Sequence, residues 1–204
     1  MSVGFGFCPA MIVKKMTDKM NYKIFIWFCK HISNIRIKRI LERLNPELYY
    51  RAIGVKIGKN CRIYRSSFGT EPYLISLGNH VHIGERVRFI THDGGAWVVR
   101  ELTGCSDWDY FGTIQIDDNV FIGNDVILLP NVHIGKNCVI GAGAIVTKNI
   151  PAGSIVAGVP ARRIRSVEEY CRKIEAAGFH TKKMKAKEKE DFLRKYFKRN
   201  FFLK

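Results

Sequence analysis

His92 is the residue best equipped for chemistry. It stands in Thr91-His92-Asp93-Gly94-Gly95. A neutral imidazole near pH 7 can take the proton of a hydroxyl as that oxygen attacks an electrophile. The alternative is a structural ring that caps the backbone around it. Asp93 can orient an imidazole or bind a hydroxyl, or it can cap the turn that Gly94-Gly95 implies. Trp97 and the stretch Asp107-Trp108-Asp109-Tyr110-Phe111 have the composition of a sugar platform, with aromatic faces for C–H-rich rings and carboxylates for hydroxyls. A loop packing its own aromatics has the same composition. His80, His82 and His133 are read as outward-facing, and His31 and His180 as surface residues of the flanks. The six cysteines, Cys8, Cys29, Cys61, Cys105, Cys138 and Cys171, are widely spaced with no CxxC pair. They are read as reduced thiols, and no metal site is expected.

A repeat must position these residues. Residues 116–151 fall into rows of six: IDDNVF, IGNDVI, LLPNVH, IGKNCV, IGAGAI, VTKNIP. The first column is Ile116, Ile122, Leu128, Ile134, Ile140, Val146, and the fifth is Val120, Val126, Val132, Cys138, Ala144, Ile150. The same frame starts at Ile57 and again at Leu77. A period of six fits neither an amphipathic helix nor an alternating strand. It fits a β-helix with three short strands per coil, aliphatics inward, and Gly or Asn at the turns. An ordinary β-sandwich with Gly-containing turns is the alternative. The register breaks twice: at Gly69-Thr70-Glu71-Pro72, read as a bulge, and over an excursion at about 93–113 rooted beside His92.

The expected fold class is therefore mainly β, with helical flanks. Residues 1–52 form a helical basic extension, 53–165 the β-helix domain, and 166–204 a helix of about 167–177 followed by a basic aromatic tail. Ser166-Val167-Glu168-Glu169 is a capping box, and Asn45-Pro46-Glu47 is a cap followed by a helix-starting proline. The net charge of +16 is uneven. Residues 1–50 carry nine basic against three acidic residues, and 165–204 carry thirteen against six. Residues 51–164 carry only twelve against nine, so an anionic partner is expected at the ends. No apolar run approaches the roughly twenty residues of a membrane span, and no signal peptide is read. A cytoplasmic protein is expected. The tail can lie on an anionic membrane face as an amphipathic helix, or pack on a neighbouring subunit.

The run IGNDVILLPNVHIGKNCVIGAGAIVTKNIPAGSIVAGVPARRIR resembles the C-terminal part of the hexapeptide-repeat acyltransferases, and is most similar to bacterial polysaccharide, galactoside and maltose O-acetyltransferases. The resemblance covers about residues 53–165. It implies a left-handed parallel β-helix, a handedness that spacing does not give and that runs against the usual crossover rule. It implies a homotrimer with active sites between subunits, which suits coils with apolar side surface to cover.

The resemblance also implies roles. His92 matches the family's catalytic base. Acetyl-CoA would be the acyl donor. Its pantetheine arm would run along Phe121, Gly123, Asn124, Gly141 and Ala142, where small residues allow close approach, and the backbone N–H near Asn124 would face the thioester oxygen. Thr147, Lys148, Arg162 and Arg165 match the end that holds the nucleotide phosphates. The acceptor would be a saccharide hydroxyl in surface-polysaccharide biosynthesis, near Trp97, Asp107, Trp108 and Tyr110. Rival readings are acetylation of an antibiotic or small free sugar, a γ-type carbonic anhydrase, and a non-enzymatic binder using the basic ends. The histidine pattern and the AGVPARRIR ending oppose the carbonic anhydrase. No specific nucleic-acid partner is expected.

Overall fold

The computed structural model describes Trp27, residues 40–43 and residues 45–201, with side chains as far as Lys198. The helices expected before residue 40 lie outside the described residues. The chain divides into two units, the first ending at Val167 and the second starting at Glu168.

In the first unit the six-residue rows become short strands of three parallel sheets. Sheet A holds β1 (Lys56–Ile57), β3 (Ile75–Leu77), β6 (Ile114–Ile116) and β9 (Val132–Ile134). Sheet B holds β2 (Arg62–Ile63), β4 (His82–Ile83), β7 (Phe121–Ile122), β10 (Val139–Ile140), β12 (Ser154–Ala157) and β13 (Arg162–Ser166). Sheet C holds β5 (Arg88–Phe89), β8 (Ile127–Leu128) and β11 (Ile145–Val146). The chain visits A, B and C in turn and then climbs one coil. Partners in the regular part are eighteen residues apart, as Ile122 with Ile140 and Leu128 with Val146. Among the described strands, the closing strand β13 alone runs antiparallel to its neighbour.

Both repeat columns point inward. Ile116, Ile122, Leu128, Ile134, Ile140 and Val146 are buried, and so are the fifth-column residues from Val120 to Ile150. Two different needs shape the corners. The fourth position takes a left-handed backbone: Asn119, Asp125, Asn131 and Asn137 have φ of 58 to 61°. Asn and Asp tolerate that region best among residues with a side chain. At three of the six second positions, Gly123, Gly135 and Gly141, the residue is glycine because the next coil lies against it. A Cβ at Gly123 would sit 2.6 Å from the Ala142 nitrogen, and one at Gly135 2.6 Å from the Ala152 nitrogen. At Gly123 the demand for a small residue therefore comes from coil stacking.

Helix α1 (Pro46–Ala52) packs on the first coil. Asn45 Oδ1 caps it by accepting the Leu48 N–H. Its Tyr50 ring lies against Phe68, which stacks on Phe89 at 4.4 Å. The Tyr50 hydroxyl bonds Glu42 and the Ser66 carbonyl, and burial, then Glu42, push its pKa up.

The excursion contains a helix that the spacing did not reveal, α2 (Ala96–Thr103), which ends on left-handed Gly104. Helix α3 (Val167–Ala177), which from Glu168 onward belongs to the second unit, matches the expected helix, and α4 (Ala186–Phe201) follows. Gly178 closes α3 by donating its N–H to the Ile174 carbonyl at 2.7 Å. Phe179 packs edge-on against Phe192, Tyr196 and Phe197. Among the described residues, no helix is long and apolar enough to cross a membrane.

If coil stacking demands the corner glycines, Gly123→Ala and Gly135→Ala will each lower unfolding stability by about 1–3 kcal/mol through overpacking. Gly94→Ala, where an added Cβ has nothing within 4 Å, will leave it near wild type. Denaturant midpoints measure all three.

Candidate active site

His92 follows the end of β5, at the corner leading from sheet C to sheet A. The neck of the excursion holds it there. His92 bridges Phe111 antiparallel, Asp93 N–H donates to the Tyr110 carbonyl at 2.9 Å, and Gly112 N–H donates to the Thr91 carbonyl at 2.8 Å. The imidazole Nδ1 lies 3.1 Å from Glu71 Oε2, and the same oxygen accepts the Thr91 hydroxyl at 2.6 Å. The hydroxyls of Thr70 and Thr91, and then His92 itself, hold the Glu71 carboxyl below the usual carboxylate range. An ionised carboxylate only accepts hydrogen bonds, so Nδ1 carries the proton. In the neutral ring Nε2 then holds the lone pair. That is the tautomer of a general base, and the ring is about half exposed.

Glu71 escaped the sequence reading, which took Gly69-Thr70-Glu71-Pro72 only as a bulge. It stands at the N-cap position of a short 3-10 turn, Pro72–Leu74, one coil before His92, and its carboxylate does not cap that turn. The only signal in the sequence was a pair of extra residues in the register.

Asp93 Oδ1 accepts the Gly95 N–H at 2.8 Å, the turn-capping option. Trp97 is 75% exposed on α2, and Asp107, Trp108 and Tyr110 are also exposed. Arg100 closes the loop, donating to the Trp108 carbonyl and to Asp109 Oδ1, both at 2.8 Å. The Tyr110 hydroxyl accepts from Asn131 Nδ2 at 2.9 Å, which ties the loop to the next coil. The excursion that carries Asp93, Trp97, Asp107, Trp108 and Tyr110 thus leaves from the corner that holds His92.

The remaining candidates lie elsewhere. Gly123 and Asn124 follow β7, and Gly141 and Ala142 follow β10, so all four line the corner from sheet B to sheet C. Phe121 stands outward on sheet B, its ring 5.0 Å from His82. Burial, then Arg62, pushes the His82 imidazole pKa down. Asn124 Oδ1 accepts the Glu85 N–H at 2.9 Å, while no described group accepts the Asn124 backbone N–H. Arg162 pairs with Ala157 at this same corner. Arg165, paired with Ile155, lies at the opposite edge of sheet B. Thr147 and Lys148 follow β11, on the His92 edge of sheet C. Within one chain, His92 and Asn124 therefore flank sheet C on opposite edges. A face width separates them, on the order of 15 Å.

His133 Nε2 lies 3.0 Å from Asp117 Oδ1 on sheet A, and His80 Nδ1 2.8 Å from Asn119 Oδ1. Neither joins the His92 cluster. The four described cysteines, Cys61, Cys105, Cys138 and Cys171, are free thiols, and burial raises the pKa of Cys61 and Cys138.

Parallel coils of six-residue units with left-handed corners define a hexapeptide-repeat protein. The family model for the bacterial transferase hexapeptide (six repeats) matches residues 113–148. The chain is 45% identical over 165 residues to Protein CapG of Staphylococcus aureus, covering 79% of this chain and 95% of that protein. It is 35% identical over 127 residues to the galactoside O-acetyltransferase of Escherichia coli K12, covering 62% of this chain and 61% of that protein. A solved galactoside acetyltransferase in complex with coenzyme A superposes with a TM-score of 0.48 at 26% identity, covering 82% of this chain and 87% of that one. The chain belongs to the bacterial hexapeptide-repeat transferases and is an enzyme of the acyltransferase class.

Arg100 is what holds the far side of the excursion. Arg100→Ala will raise backbone hydrogen exchange over 104–110 while leaving global stability within about 1 kcal/mol of wild type. Exchange measured by mass spectrometry on both proteins reads this directly.

Proposed function

We propose that the protein is an acetyl-CoA-dependent O-acetyltransferase that modifies a saccharide hydroxyl in surface-polysaccharide biosynthesis, with His92 as general base. The observation that carries this reading is the Glu71–His92 pair at 3.1 Å, which leaves Nε2 as the free acceptor. In the transfer, Nε2 takes the hydroxyl proton as the acceptor oxygen bonds to the thioester carbonyl carbon. The carbon–sulfur bond breaks, and the proton passes to the departing thiolate. Glu71 is a positioning residue, fixing the tautomer and the ring's direction. Asp93 acts in this scheme by shaping the turn.

Acetyl-CoA supplies the activated acyl group. Phe121, Gly123, Asn124, Gly141 and Ala142 would flank its arm, with the Asn124 backbone N–H as donor to the thioester oxygen. Of the residues expected at its phosphates, Arg162 lies on this corner, Thr147 and Lys148 on the His92 edge would come from a second copy of the chain, and Arg165 stands at the far end of sheet B. Trp97, Asp107, Trp108 and Tyr110 would receive the saccharide. Because His92 and Asn124 lie on opposite edges of sheet C, a complete site needs a second copy of the chain. A homotrimer with sites between subunits meets that need. Left-handed coiling and a domain spanning 53–165, with extensions at 1–52 and 166–204, belong to the same reading. So does a cytoplasmic enzyme whose basic α4 contacts the inner membrane face.

Thiol release from acetyl-CoA, measured beside acetyl-CoA binding, tests the chemistry. His92→Ala will bind the donor as wild type does and lose turnover by about 10² or more. Glu71→Gln will lower kcat by about tenfold with the KM for acetyl-CoA unchanged, because part of the base's contribution comes from its orientation. A His92→Ala enzyme with wild-type turnover contradicts the assignment.

A further inference from the structure

A large unassigned concavity among the described residues lies outside the excursion. A groove of about 1200 Å³ runs between the segment around Arg43 and α1 on one side and the B-to-C corners of the first two coils on the other. Arg43, Arg65, Arg86 and Arg88 line it, with Tyr64 on its sheet B flank. Arg86 is committed: it donates from Nε and Nη2 to both oxygens of Asp125, at 2.6 and 2.7 Å. Two carboxylates also face the groove. Glu42 is engaged by the Tyr50 hydroxyl, and Glu85 lies 3.4 Å from Arg86. Among the described residues, no carboxylate pairs with Arg43, Arg65 or Arg88. Three exposed guanidinium groups around one groove suit phosphate oxygens, which they can bind in bidentate fashion. The sequence reading expected anionic partners at the basic ends. This cationic site is built instead by the nearly neutral middle, together with Arg43.

Its location sets its use. Glu85 lines the groove and donates its N–H to Asn124 Oδ1, while Arg86 pairs with Asp125. The groove therefore starts one coil before Asn124 on the same corner and runs toward the first coil. The proposed donor track, Asn124 to Ala142 to Arg162, runs the other way along that corner. A donor on this track leaves the groove free on the thioester's far side, where the acceptor must enter. We propose that the groove binds the phosphate or diphosphate of a glycosyl-phosphate acceptor, holding the sugar toward Asn124. This rests on the acetyltransferase reading above. A neutral free sugar or an uncharged antibiotic would give the three arginines nothing to bind.

The test is calorimetry on the full chain saturated with coenzyme A, so that the donor's own phosphate sites are filled. The probes are inorganic diphosphate, uridine diphosphate and geranyl diphosphate. The wild type will bind diphosphate, and Arg65→Glu/Arg88→Glu will weaken it at least tenfold with acetyl-CoA affinity unchanged. The milder Arg65→Gln/Arg88→Gln pair, which keeps the shape of the side chains, will weaken it in the same direction. Tighter binding of uridine diphosphate assigns a nucleotide-linked acceptor, and tighter binding of geranyl diphosphate a lipid-linked one. Absence of diphosphate binding to the coenzyme A-loaded wild type overturns the proposal, as does equal binding to wild type and the glutamine pair. Failure of the wild type to bind acetyl-CoA is a separate result, and it defeats the underlying reading instead.

Discussion

Coils stacked eighteen residues apart approach so closely at their corners that two backbone requirements become fixed. One is glycine at the corners the next coil crowds most, and the other is a left-handed φ at the fourth position of most rows. Gly123 against Ala142, and Asn119, Asp125, Asn131 and Asn137 at φ near 60°, are the two halves of that constraint. Once met, it aligns Ile116, Ile122, Leu128 and their successors into uninterrupted inner ladders with almost no exposed surface. Dense apolar packing between paired strands then makes each strand end a fixed point.

The site exploits those fixed points. His92 follows the end of β5, and its partner Glu71 arrives from the coil before, so two rigid turns set the 3.1 Å spacing rather than one flexible loop. The excursion leaves from the same corner and is pinned at its neck by strand-like bonds and at its far side by Arg100. Rigid coils also keep apart what they position. Asn124 and His92 cannot meet within a chain, since sheet C stands between them. On this account the quaternary arrangement is part of the active site. The arginine groove extends the same logic, because Glu85 and Arg86 link it to the coil that carries Asn124 and Asp125.

Much of this was legible in the sequence because the repeat is periodic. The inward first column, the two breaks in register and the position of His92 at the root of the excursion could be read from spacing, and the helix at Val167–Ala177 from its capping residues; the fifth column, expected near the corners, is buried as well. The glycines were visible, and at Gly123 a neighbouring coil occupies the space a Cβ would fill, a demand that spacing does not show. Helix α2 was not legible, since none of its residues is buried and no side chain caps its N-terminus. Glu71 was not legible either. Its partner is twenty-one residues away, and nothing local marks a carboxylate in a two-residue insertion as more than a turn. The groove joins residues from Arg43 to Arg88 and has no one-dimensional signature.

The central claim is that two copies of the chain share each active site. Subunit mixing tests it most directly. His92→Ala removes the base and keeps the donor track, while Ala142→Trp, at an exposed corner, blocks the track and keeps the base. Each variant alone should be inactive. Dissociated, mixed in equal amounts and reassembled, they should recover about one quarter of wild-type turnover per site, the fraction of interfaces that pair an intact base with an intact track. Mixtures that stay inactive despite verified exchange of subunits would contradict the account and place the whole site within one chain.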